Sequence, residues 1–143
     1  MGMQLIFVLE TNKKCKSDWI YIKDTIEYLY NIDANNIKFT QVYMDGKGNF
    51  KNKQKEINKN IDQYAKGASN GNSKVICCLD SDDYDINMEA IKFLNEAFKF
   101  CNDNKYELIW FCKDIERVYL RKKVVKVEKK KEAGKFKANK TIR

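Results

Sequence analysis

The chain has 143 residues, room for one domain of ordinary size and too few for most two-domain enzymes. Hydrophobic residues at 43% and aromatics at 13% exclude global disorder, while 34% charged residues require a strongly polar surface. The net charge is +8 and histidine is absent, which removes Ser-His-Asp and Cys-His mechanisms and the usual zinc-hydrolase ligand sets, so catalysis would have to run on carboxylates, lysines, a tyrosine or a metal-bound water.

No apolar stretch approaches the length of a membrane span, and Met1-Gly2-Met3-Gln4 lacks the basic start of a signal peptide, so no membrane partner and a cytoplasmic location are expected. The five cysteines are odd in number and show no CxxC spacing. Cys77 and Cys78 fall on one predicted strand and point to opposite faces, which makes them core thiols and not a disulfide.

In chain order, Gln4–Leu9 is a continuous apolar run of the kind buried on both faces of a parallel sheet. Ser17 or Asp18 is expected to cap a helix with Trp19, Ile22, Ile26 and Leu29 at helical spacing. Ile37–Met44 alternates as a second strand, Asp45-Gly46-Lys47-Gly48-Asn49 makes a turn, and Lys53–Lys66 carries Ile57, Ile61 and Tyr64 on one helical face, with Gly67 ending the helix. A third strand covers Lys74–Leu79. A helix over Asn87–Asn102 presents Ile91, Leu94, Phe98 and Cys101 on one side, and Glu107–Cys112 is a fourth strand. Trp19, Trp110, Phe93, Phe98 and Phe100 are expected in the core.

This alternation predicts an α/β domain over residues 1–120, with an open, mostly parallel sheet of four to five strands and helices on both faces. Such sheets bind ligands beyond the carboxyl ends of their strands. Glu10 closes the first strand, and Asp80-Ser81-Asp82-Asp83-Tyr84 follows the third directly. At an effective dielectric of about 20, two carboxylates roughly 4 Å apart repel by about 4 kcal/mol, so a converging set must take up protons, splay apart or hold a cation. Mg²⁺ suits such a cluster, because it prefers oxygen ligands and takes only one or two carboxylates from the protein. The same aspartates, with Asp85, also suit a turn that caps the helix at Asn87.

An apolar strand ending in glutamate (Leu5-Ile6-Phe7-Val8-Leu9-Glu10), then a helix, then a later apolar strand ending in Asp80-Ser81-Asp82, resembles the TOPRIM domain of topoisomerases, bacterial primases and OLD-type nucleases. Gly46-Lys47-Gly48-Asn49 before a helix and Asp114-Ile115-Glu116 after the fourth strand are most similar to stand-alone RloB- and OLD-associated TOPRIM proteins. The resemblance implies a metal-dependent nuclease. Glu10 would be the general acid/base or a metal-proximal carboxylate, and Asp80 and Asp82 would hold Mg²⁺ or Mn²⁺, with Asp83 and Glu116 further along the acidic rim. It also implies nucleic acid, DNA or RNA, as the partner, and a protein such as an ATPase as a candidate second one. Two features depart from the family pattern: Thr11-Asn12-Lys13-Lys14 stands where a glycine-containing turn usually follows the glutamate, and the chain has no proline.

Two other functions fit the same residues. Leu79-Asp80-Ser81-Asp82-Asp83 also resembles the Asp-x-Asp of nucleotide-sugar glycosyltransferases, and a nucleic-acid-binding module without a metal centre would need only the basic end. Residues 121–143 hold eleven Lys and Arg against Glu128 and Glu132, a net +9 that leaves −1 for residues 1–120. Arg121, Lys122, Lys123, Lys126, Lys129, Lys130 and Lys131 are therefore the candidate phosphate contacts. The segment reads as a basic tail, with Val124, Val125 and Val127 suggesting a short strand at its start.

Overall fold

The computed structural model describes residues 2–46, 49–67, 71–82, 85–112 and 114–139. Four strands, β1 (Met3–Leu9), β2 (Ile37–Tyr43), β3 (Asn72–Asp80) and β4 (Glu107–Phe111), form one open, all-parallel sheet in the order β2-β1-β3-β4. Five helices accompany it: α1 (Ser17–Leu29), α2 (Gln54–Lys66), α3 (Met88–Asp103), α4 (Ile115–Leu120) and α5 (Lys129–Asn139). Among the described residues no helix is long and apolar enough to cross a membrane.

The uninterrupted apolar run of β1 follows from its central place, because side chains alternate between two buried faces. Ile6 and Val8 join Val75, Cys77 and Leu79 of β3 under α2 and α3, where Ile57, Ala97 and Cys101 close the layer. Phe7, Leu9 and Cys78 join Trp19, Tyr21 and Ile22 of α1 on the opposite face. Cys77 and Cys78 are thus buried on different sides, and all five cysteines are free thiols.

Local signals set most element ends. The Asn87 side chain caps α3 by accepting from the amides of Glu89 at 2.9 Å and Ala90 at 3.3 Å. Neither Ser17 nor Asp18 caps α1: the cap position is Lys16, in left-handed backbone, and the Asp18 carboxylate inside the first turn accepts from the Trp19 amide and from Thr11. Helix α3 buries Leu94, Ala97 and Cys101, whereas Ile91 and Phe98 face solvent, as does part of Trp110. The helix is rotated from the expected face because Ala97 permits close approach to the sheet, and Trp110 lies on β4, which is an edge strand.

Of the segment 121–143, expected as a basic tail with a short strand at its start, residues 121–139 are described and supply part of the second core. Val124 and Val125 lead into a 3₁₀ turn at Lys126–Glu128 and then into α5. Ala133 and Phe136, three residues apart on one side of α5, are buried against α1, with Phe136 packed on Tyr21 and Tyr119 at ring-centroid distances of 5.0 and 5.3 Å. Burial of that two-residue apolar stripe outweighs the β-propensity of the valines, of which Val127 stays 87% exposed.

Candidate functional site

The strand order reverses direction between β1 and β3, since the chain runs from β1 outward to β2 and returns past β1 to β3. Open α/β sheets form their ligand crevice at such a point, beyond the carboxyl ends of the two strands. Leu9 is in register with Cys78, and Asp80 with Phe111, so Glu10 and Asp80 come out side by side. The Asp80 amide donates to Glu10 Oε1 at 2.8 Å, and Asp80 Oδ1 accepts from the Ile115 amide at the start of α4 at 2.9 Å. The loop after β2 is tied to the same end: Met44 N donates to Leu9 O at 2.8 Å and Gly46 N to Glu10 O at 3.0 Å. Gly46 has φ +126°, a conformation that disfavours any side chain.

These elements enclose a cavity of about 290 Å³. Its walls carry five carboxylate side chains, Glu10, Asp18, Asp45, Asp80 and Glu116, and two ammonium side chains, Lys126 and Lys129. Lys129 Nζ lies 3.4 Å from Glu116 Oε1, an ion pair in which Glu116 is 1% exposed. A larger depression of about 610 Å³ runs along the outer side of α2, but it is lined by polar side chains of that single helix, most of them fully exposed.

Burial raises several of these acids. The Asp80 carboxyl is pushed up to about 9, first by burial and then by the neighbouring Glu10 and Glu116 charges, which outweigh the Ile115 amide and Lys129. Burial also raises Glu116, against the pull of Lys129, and raises Asp18 against its hydrogen bonds from Thr11 and Trp19. For Lys129, burial works downward, but Glu116 and Asp80 prevail and hold the ammonium more firmly protonated than usual. Burial and the neighbouring acids thus shift Asp80 toward its protonated form, one of the outcomes open to converging carboxylates.

Of the expected acidic residues, the fold brings together Glu10, Asp80 and Glu116. Asp82 is exposed, in left-handed backbone with φ 51°, and does not line the cavity. Asp83 lies outside the described residues. Among the basic residues, Lys126 lines the cavity and Lys129 points at Glu116, where it meets carboxylates and not the open surface. Lys122 pairs with Glu132 at 3.4 Å, while Arg121, Lys123, Lys130 and Lys131 are exposed.

Asp18 and Asp45 were not among the residues expected in the site. Their signal was positional: Asp18 stands in the first turn of the helix after β1, and Asp45 just beyond the end of β2, and both places face the crevice of a parallel sheet.

Among the described residues no group of three His, Cys, Asp or Glu side chains has the arrangement of a metal site. The Glu10 carboxylate nevertheless meets the Asp80 main chain, and both side chains line one cavity in which five carboxylates face two ammonium groups. That donor set fits Mg²⁺ or Mn²⁺ held through two protein oxygens with waters or phosphates elsewhere. Comparison with protein-family models, with curated proteins and with solved structures gives no match.

Proposed function

We propose that this chain is a metal-dependent phosphodiester-cleaving or phosphoryl-transfer protein of TOPRIM type that acts on nucleic acid. The observation that carries the proposal is the contact of Glu10 with Asp80 at the switch point of the sheet, in a cavity with an excess of carboxylates. The neighbouring places of β1 and β3 support it, because the resemblance requires the glutamate strand and the aspartate strand to end together.

Glu10 and Asp80 would hold Mg²⁺ or Mn²⁺, which when bound would polarise a phosphoryl oxygen and offset negative charge building up in the transition state. To serve as a ligand Asp80 would have to be ionised, its proton passing to solvent. Glu10 Oε1 is held by the Asp80 amide, which fixes the carboxylate for proton transfer at the crevice. Lys126 lies at the cavity wall, where an ammonium would orient a phosphodiester, and the exposed Arg121, Lys123, Lys130 and Lys131 would draw in the rest of the backbone.

The Lys129–Glu116 pair favours a second function, a nucleic-acid-binding module in which the lysine does a metal's work of neutralising the acids. Highly purified protein, incubated with single- and double-stranded DNA and RNA in Mn²⁺ or in EDTA, separates the two. Metal-dependent cleavage that Glu10→Gln and Asp80→Asn abolish supports the nuclease; binding with no cleavage in any metal, and no change on Asp80→Asn, leaves the binding module.

A further inference from the structure

We infer that the Lys129 ammonium is the resident counter-cation of the acidic cavity and that a divalent ion enters by displacing it, so that metal loading is coupled to the position of the first turn of α5. The inference rests on the metal-dependent reading of the site and adds a competitor to it.

Glu116 is almost fully buried, and among the described residues its Oε1 finds no partner apart from the lysine head 3.4 Å away, the charge that compensates it. A buried carboxylate without a compensating charge is strongly disfavoured, so Lys129 and an incoming cation serve the same need. Both cannot sit at full strength among Glu10, Asp80 and Glu116, because a dication and an ammonium in one 290 Å³ space repel each other.

The fold gives Lys129 room to leave. It is the first residue of α5, and the chain ahead of it, Lys123 to Val125, has no regular structure, with Val125 and Val127 exposed. The helix is anchored further along, through Ala133 and Phe136. The ion pairs that link this stretch through Glu132, to Lys122 at 3.4 Å and to Lys135 at 3.7 Å, involve exposed lysines and hold weakly. The first turn of α5 can therefore swing outward while the core under its second half stays packed, carrying the lysine head out of the cavity. By reciprocity, the factor by which the Lys129–Glu116 pair weakens metal binding equals the factor by which a bound metal weakens the pair.

The test is Mn²⁺ titration calorimetry on the full chain, comparing wild type with Lys129→Gln and with Lys137→Gln, which removes the same charge from an exposed position on the same helix. Lys129→Gln should bind Mn²⁺ at least about tenfold more tightly, and Lys137→Gln should bind as wild type does. Hydrogen exchange supplies a second readout that needs no variant: Mn²⁺ should speed exchange over residues 126–133 of the wild-type protein and leave the sheet unchanged. Equal affinities for wild type and Lys129→Gln, equal gains from both substitutions, or a first turn of α5 that Mn²⁺ leaves equally or better protected would each overturn the displacement while the metal site stands. Absence of Mn²⁺ binding by every form would overturn the metal centre itself, and the displacement with it.

Discussion

The backbone amide of Asp80 donates to the carboxylate of Glu10 at 2.8 Å, so the end of one strand is held by a side chain from the end of its neighbour. The contact joins residues far apart in sequence, and it exists because β1 and β3 pair in parallel with Leu9 beside Cys78. Glu10 is thereby oriented by main chain, which is stiffer than any side-chain partner. Replacing the Asp80 side chain leaves that amide in place, so effects of Asp80 variants report on its carboxyl group and not on the orientation of Glu10.

Asp80 and Asp82 should separate cleanly in metal response. A saturating divalent ion stabilises the folded protein by about 2.7 kcal/mol at roughly a hundredfold excess over Kd. Thermal unfolding with Mn²⁺ and with EDTA should show that gain in wild type and in Asp82→Asn, and no gain in Asp80→Asn. Loss of the gain in Asp82→Asn would place that exposed residue in the site after all.

Stability in EDTA should fall as pH rises. The folded Asp80 carboxyl is raised from the ordinary 3.8 to about 9, so the folded state holds a proton that the unfolded state has lost between those values. Its contribution is fully present below about pH 4 and is lost as pH climbs through about 9. Asp80→Asn, which keeps a neutral group of similar shape, should flatten this slope and raise the melting temperature at pH 8, by roughly 4 °C for each kcal/mol recovered. Glu116 and Asp18 are raised too, so a shallower slope of the same sign should remain. Melting temperatures of the variant that track wild type across pH 5–9 would contradict the assignment.

Phe136→Ala should destabilise the chain by about 3–5 kcal/mol in urea unfolding, the range for emptying a buried aromatic site. The ring is 2% exposed and touches both Tyr21 and Tyr119. For the same reason, removing everything after Leu120 should cost the fold and not merely a tail. A change within 1 kcal/mol for Phe136→Ala would mean that α5 is not held where it is seen.

Nucleic-acid binding should be steeply salt-dependent and should rest on the exposed cations. Neutralising one cation that meets a phosphate should flatten the log–log salt slope by about 0.7 on single strands and about 0.9 on duplex DNA. Combined Lys123→Gln, Lys130→Gln and Lys131→Gln should lower both slope and affinity with little regard to sequence. Lys129→Gln should leave the slope nearly unchanged, since its charge is directed at Glu116. Fluorescence anisotropy against salt concentration gives both quantities.

The sheet was legible because burial on two faces writes itself as uninterrupted apolar runs, and Leu5–Leu9 and Val75–Leu79 are such runs. The places of Glu10 and Asp80 at strand ends were legible for the same reason. Their adjacency was not, because strand order depends on which way each crossover turns, and local sequence does not record that choice. The role of α5 was hidden by composition. Eleven basic residues mask the two that matter for packing, Ala133 and Phe136, and a lysine that folds back on a carboxylate looks in sequence like any lysine on a surface. Asp82 stands two residues beyond Asp80, but it is exposed, in left-handed backbone, and is not among the residues that line the cavity.

The packing of Phe136 on Tyr21 also has a temporal side. A chain emerging from the ribosome completes β1 and α1 early, but the side of Tyr21 that Phe136 covers stays open until α5 has been made. Until then part of Tyr21 and Tyr119 is uncovered apolar surface, and long-range closure of this kind is slow compared with local pairing. The opposite face, under α2 and α3, can close without waiting for α5. A nascent chain would therefore carry an adhesive aromatic patch on α1 and α4, and the acidic crevice would acquire its lysine only when α5 docks there.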